Sequence, residues 1–126
     1  MQETTISRSY SFEAAHFLPN VPDGHKCKKM HGHSYVISVR VRGVSDPHTG
    51  FVIDFADLDA LVNPMIKELD HQVINDFIEN PTAERIVSWF LDRLMPKLTP
   101  IKNLYIVAVR VNETVKAYAQ EIRDIH

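Results

Sequence analysis

His31-Gly32-His33-Ser34-Tyr35-Val36-Ile37-Ser38-Val39-Arg40-Val41-Arg42 is the run whose reading decides the fold. Tyr35, Ile37, Val39 and Val41 fall on odd positions and Ser34, Ser38, Arg40 and Arg42 on even ones, the period of a strand with one buried face. His31 and His33 share the parity of the apolar set, so a strand that starts at His31 aims both imidazoles at the interior side. Gly32 between them adds no bulk. Two histidines at this spacing can grip one ion, or they can be the exposed end of a strand with no metal. A catalytic zinc site takes three protein ligands and leaves one position open, so the run is one ligand short.

The third candidate lies upstream. From Thr4 to Phe12 the residues Ile6, Tyr10 and Phe12 alternate with Thr5, Ser7, Ser9 and Ser11, a half-buried strand interrupted at Arg8. Extended chain carried on to His16 gives that histidine the parity of Tyr10 and Phe12. Two strands then direct His16, His31 and His33 to the same side, a stronger indication of a metal than any one spacing. Leu18-Pro19-Asn20-Val21-Pro22-Asp23-Gly24 is rich in turn formers and places Cys27 on a loop. Cys27 reads either as a small hydrophobe or as a reactive thiol. His25, Lys26, Lys28 and Lys29 around it form either a solvated basic loop or an anion-binding one.

Downstream, Ser45–Gly50 is a turn and Asp54 caps a helix whose buried stripe is Leu58, Leu61, Val62, Met65, Ile66 and Leu69. Pro64 within it predicts a kink or restart. Asp70-His71 falls at the helix end, where the dipole favours a histidine, and from the residues alone that plain account is preferred. Asn80-Pro81-Thr82-Ala83-Glu84 starts a second helix, with Pro in its first turn, whose buried face is Ala83, Ile86, Val87, Phe90, Leu91 and Leu94, closed by Pro96. Leu104–Val111 is apolar on both faces, as in a strand covered on both sides. A weaker strand runs from Val115 to about Ile122. The order strand, strand, helix, helix, strand, strand predicts an α+β domain with both helices on one face of a four-stranded sheet, whose open edges favour oligomerisation.

Residues 1–126 are expected to form one domain. Hydrophobic residues at 44% and charged residues at 24% describe a globular chain rather than a disordered one. With 14 basic and 16 acidic residues, no general nucleic-acid surface is indicated. A single Cys excludes an internal disulfide, and no apolar run spans a bilayer. The first residues lack a signal-peptide pattern, and a cytoplasmic location is expected.

In chain order, FEAAH ending at His16, CKKMHGHSY from Cys27 to Tyr35, LDH ending at His71, NPTAE ending at Glu84 and the Glu113 position resemble the 6-pyruvoyl-tetrahydropterin synthase superfamily over nearly the whole chain. Cys27, four residues before His31, together with DPHTG from Asp46 to Gly50, is similar to the bacterial 6-carboxytetrahydropterin synthases of queuosine biosynthesis; the animal pyruvoyl synthases have a longer gap there. The resemblance implies the tunnelling fold, with antiparallel sheets joined into a barrel by a trimer and two trimers stacked into a hexamer with active sites between subunits. It implies zinc on His16, His31 and His33, Cys27 as catalytic thiol, Asp70 with His71 as a proton relay, and Glu113 in the catalytic set as the group that recognises the pterin. Lys26, Lys28 and Lys29 are candidates to meet a triphosphate. The implied substrate is 7,8-dihydroneopterin triphosphate, and the implied products are 6-carboxytetrahydropterin, acetaldehyde and triphosphate. Two rivals remain: a pyruvoyl-type synthase, and a non-catalytic domain in which Cys27, His16, His31 and His33 close a structural zinc site. The second has no use for Asp70-His71 or Glu113.

Overall fold

A computed structural model describes residues 2–126. The chain runs β1 (Glu3–His16), β2 (His31–Val44), α1 (Phe55–Leu69), β3 (Gln72–Val73), α2 (Ala83–Leu98), β4 (Leu104–Thr114) and β5 (Ala117–Asp124), with single 3-10 turns at Lys26–Lys28 and Ile74–Asp76. The strands form one sheet in the order β3-β1-β2-β4-β5. Both helices lie on one face. Leu58, Val62, Met65 and Leu69 of α1 and Ile86, Val87, Phe90, Leu91 and Leu94 of α2 are buried with Phe12, Tyr35, Ile37, Val39, Val41, Val107, Val109 and Val111 of the strands. The α+β class therefore holds, and the alternation in Tyr35–Val41 is the core side of β2.

The sheet has five strands rather than the expected four, and it is not wholly antiparallel, because β3 pairs in parallel with Ala14 and Ala15 of β1. A two-residue bridge is too short to carry an alternation. Pro64 does not interrupt α1, which continues to Leu69. It lies on the exposed side of the helix, where water can take the carbonyl that its missing N–H leaves free. The cap of α2 is Thr82, whose hydroxyl accepts from the Arg85 N–H at 3.2 Å; Pro81 precedes the helix, and Pro96 sits inside a last turn that runs to Leu98. The final strand starts two residues later than the sequence pattern suggested, after a tight turn that leaves Val115 exposed. Ile106, Ala108 and Arg110, on the face of β4 away from the helices, are half-buried, so only one side of that strand is covered within the chain.

The register of β1 against β2 positions the histidines. His16 stands directly opposite His31, and Ala14, with little side chain, stands opposite His33. Directly opposed residues on one face bring their Cβ atoms to about 5 Å, close enough for imidazoles to converge.

Candidate active site

His16 is buried, 1% exposed, and its Nδ1 lies 2.8 Å from the Pro81 carbonyl oxygen. His31 Nδ1 lies 2.8 Å from the Lys29 carbonyl oxygen. A carbonyl only accepts, so each Nδ1 carries the proton and each Nε2 presents a lone pair, the tautomers being assigned from these partners. The two Nε2 atoms are 3.0 Å apart. Two acceptors at that distance repel unless a cation lies between them, and burial pushes the His16 imidazole below its ordinary pKa, which disfavours a proton in that place. His33, held low by burial as well, has a buried Nε2 that makes no hydrogen bond. Glu113 Oε2 is 3.3 Å from it, an ion-pair distance without hydrogen-bonding alignment. Ligand atoms of the three histidines all lie within 4.8 Å of one another. Three converging imidazoles, two of them with outward Nδ1–H bonds to carbonyls and the third with an unpartnered Nε2, are the donor set and outer support of a catalytic zinc site, and the residues fit that metal.

Cys27 is not in that ligand set. It sits half-buried on the 3-10 turn, with its N–H donating to His25 Nδ1 at 3.0 Å and its carbonyl accepting from the Leu18 N–H at 2.8 Å. The closed Cys-His₃ arrangement of a structural site is therefore not assembled. Lys28 is engaged within its own loop, by Asp23 at 2.7 Å and the Val21 carbonyl at 3.3 Å. Among the described residues, the Lys26 and Lys29 ammonium groups have no such partner.

Glu113, near the end of β4, has Oε2 3.7 Å from His16 Nε2. On its other side is a cavity of about 470 Å³ shared with Ala83, Glu84, Tyr118 and Gln120. Tyr35, stacked on Phe12 with ring centroids 5.0 Å apart, presents an edge to both His16 and His33; burial, with the Glu113 carboxylate adding to it, pushes its phenol pKa up.

Asp70 and His71 form a pair, but on other ground. Asp70, the C-cap of α1, accepts from the Glu13 N–H at 2.9 Å and lies 3.1 Å from His71 Nδ1, and these two contacts, the first foremost, hold its carboxyl below the usual range. His71 follows with φ 59°, the left-handed conformation that glycine normally supplies after a helix, and its N–H donates to the Glu13 carbonyl at 2.6 Å. Such strain in a histidine is itself a pointer to function. Its exposed ring borders a cavity of about 460 Å³ that is also lined by Glu13, Ala14, Ala15, Gly32, His33 and Ser34 of the β1–β2 ladder. Among the described residues, no hydrogen bond or ion pair joins Asp70 or His71 to His16, His31 or His33. The pair is anchored instead at the β1 edge, on the Glu13 main chain, where α1 ends.

The sequence pattern could not show the Pro81 and Lys29 carbonyls that fix the tautomers, because a main-chain oxygen carries no residue signature; only the position of Pro81 inside NPTAE marks it.

Residues 5–123 match the sequence family described as 6-pyruvoyl tetrahydropterin synthase. The chain belongs to that family. Among its relatives, the 6-carboxy-5,6,7,8-tetrahydropterin synthase of Synechocystis is 42% identical over 97 residues, 71% of this chain and 73% of that protein. The dihydroneopterin monophosphate aldolase of Pyrococcus furiosus is 35% identical over 88 residues, covering 70% and 72%. The structure of the Caenorhabditis elegans 6-pyruvoyl tetrahydropterin synthase superposes with a TM-score of 0.81 at 29% identity, over 96% of both chains. The 6-pyruvoyl tetrahydropterin synthase family is one of lyases, and this chain is an enzyme of it.

Proposed function

We propose that this chain is a zinc-dependent 6-carboxy-5,6,7,8-tetrahydropterin synthase that converts 7,8-dihydroneopterin triphosphate and water to 6-carboxytetrahydropterin, acetaldehyde and triphosphate in the cytoplasm, on the route to queuosine and other 7-deazaguanines. The observation that carries it is the meeting of three imidazoles with ligand atoms within 4.8 Å of one another, joined by no fourth His, Cys, Asp or Glu in that group among the described residues. Zinc bound by His16, His31 and His33 would supply a Lewis acid that acidifies the C–H beside a substrate side-chain oxygen. Cys27, as thiolate on the adjoining loop, removes that proton. His71, oriented by the Asp70 carboxylate at 3.1 Å, returns one at another carbon of the side chain. Glu113 accepts the neighbouring ring N–H and amino groups of the pterin in the cavity beside Tyr118. Lys26 and Lys29 meet the departing triphosphate, Lys28 being committed to Asp23. The lack of any hydrogen bond or ion pair between the triad and the Asp70–His71 pair among the described residues, with the open strand edges, supports an assembled homo-oligomer, a hexamer of two trimers, in which His71 of one protomer completes the site of another.

Turnover of dihydroneopterin triphosphate by zinc-loaded protein, with acetaldehyde trapped as a hydrazone and the pterin identified by mass, tests this reading. Acetaldehyde in equal amount to a 6-carboxylated product is expected. A 6-pyruvoyl product without acetaldehyde makes the protein a pyruvoyl-type synthase. Because one relative is an aldolase on the monophosphate, that substrate belongs in the same assay; cleavage of it alone overturns the proposal.

A further inference from the structure

We propose that Asn75 is a positioning residue for the three-histidine site, its carboxamide standing in for a strand residue that β3 lacks. β3 supports β1 through only two pairs, Ala14 with Gln72 and Ala15 with Val73. His16 is the next residue, and there the partner chain leaves the sheet for the 3-10 turn Ile74–Asp76. Asn75 on that turn closes the gap. Its Oδ1 accepts from the Phe17 N–H at 3.0 Å, and its Nδ2 donates to the Phe17 carbonyl at 2.9 Å. Both main-chain groups directly after His16 are thus engaged by one planar group, as a ladder rung would engage them. His16 is the last residue of β1, and its Nε2 must meet His31 Nε2 at 3.0 Å while Nδ1 stays on Pro81. A strand end free to fray would lose that alignment, and the half-buried carboxamide holds it. The inference rests on the reading of the triad as a metal site.

A comparison inside the molecule separates positioning from plain stability. Asn103, at the opposite end of the sheet, also spends its carboxamide on the main chain, donating to the Val44 and Val52 carbonyls at 2.7 and 2.9 Å. Zinc dissociation constants are measured by chelator competition, well below each Tm, for wild type, Asn75→Ala, Asn75→Asp and Asn103→Ala, with the visible spectrum of the Co²⁺-substituted proteins recorded alongside. Asn75→Asp keeps the acceptor for Phe17 N–H and sets an oxygen against the Phe17 carbonyl, so it serves if the alanine variant fails to fold. The Asn75 variants should bind zinc about tenfold or more weaker, with altered cobalt bands, the range seen when outer support of a metal site is removed. Asn103→Ala should lower Tm and leave affinity and spectrum unchanged. A folded Asn75→Asp protein with wild-type zinc affinity and cobalt spectrum overturns the assignment, as does an equal loss in Asn103→Ala or a failure of both Asn75 variants to fold. Wild type without zinc affinity overturns the triad reading and this one with it, whereas tight zinc in wild type and unchanged Asn75 variants overturns the Asn75 role alone.

Discussion

His16, His31 and His33 illustrate how little a residue's identity decides without its second hydrogen bond. Each of the first two gives its Nδ1 proton to a carbonyl, and only then does Nε2 become a ligand atom. Removing one ring leaves two imidazoles, too few to hold a catalytic zinc tightly. His31→Ala and His33→Ala should therefore lose stoichiometric zinc and turnover together, by metal analysis after dialysis; one retained equivalent removes that histidine from the ligand set. Cys27 lies outside that set, so Cys27→Ala should keep its zinc, its assembly and its Tm and lose turnover. Metal lost with the thiol would restore the structural-site account. Glu113 lines the cavity beside Tyr118, where the proposed function seats the pterin, and Glu113→Gln turns half of its carboxylate into a donor. The loss should be about 2 kcal/mol of substrate binding, the scale of one charged hydrogen bond. Calorimetry with a non-reacting pterin checks it, and unchanged affinity removes the anchor.

Among the elements, α1 and β1 are tied where Asp70 accepts from the Glu13 N–H at 2.9 Å. That bond and His71 depress the carboxyl, so the stabilisation it gives is present above the ordinary carboxylate value of about 4 and is lost as pH falls through the lower folded value. Asp70→Asn should lower Tm at pH 7 and flatten its fall on acidification, followed by circular dichroism; an acid limb parallel to wild type excludes Asp70 as a contributor. The elements were legible where they were long. Period two in Tyr35–Val41 and helical spacing in Leu58–Leu69 survive any local detail, and the parity of His16, His31 and His33 followed from that same period. β3 was not legible because two residues hold no period. NPTAE marks the start of α2 but holds two good capping residues, Asn80 and Thr82, and only the path of the chain makes Thr82 the cap. The face on which His71 emerges depends on a left-handed residue after a helix, which no pattern of apolar residues records.

At the scale of the molecule, the chain presents two strand edges. β5 has a neighbour on one side only, and β1, apart from Ala14 and Ala15, has none on its outer edge among the described residues. Val36, Tyr118 and Ile122 stand exposed on the sheet face that the helices leave uncovered. Open edges of this length are normally paired or blocked, and a second copy is the simplest partner. The proposed mechanism would give assembly a catalytic reason as well, because among the described residues no hydrogen bond or ion pair joins the Asp70–His71 pair to the triad within one chain. If a site takes its histidine ligands from one protomer and His71 from another, two dead variants should repair each other. His31→Ala and His71→Ala, each inactive alone, are co-expressed with different tags and purified as mixed oligomers. Half the protomers keep the triad and half keep His71, so random assembly leaves about a quarter of the sites with both intact halves, and about a quarter of wild-type activity should return. A site contained within one chain cannot recover this way, since no chain in the mixture carries both residues, and absence of activity in mixed oligomers of confirmed composition refutes the shared site.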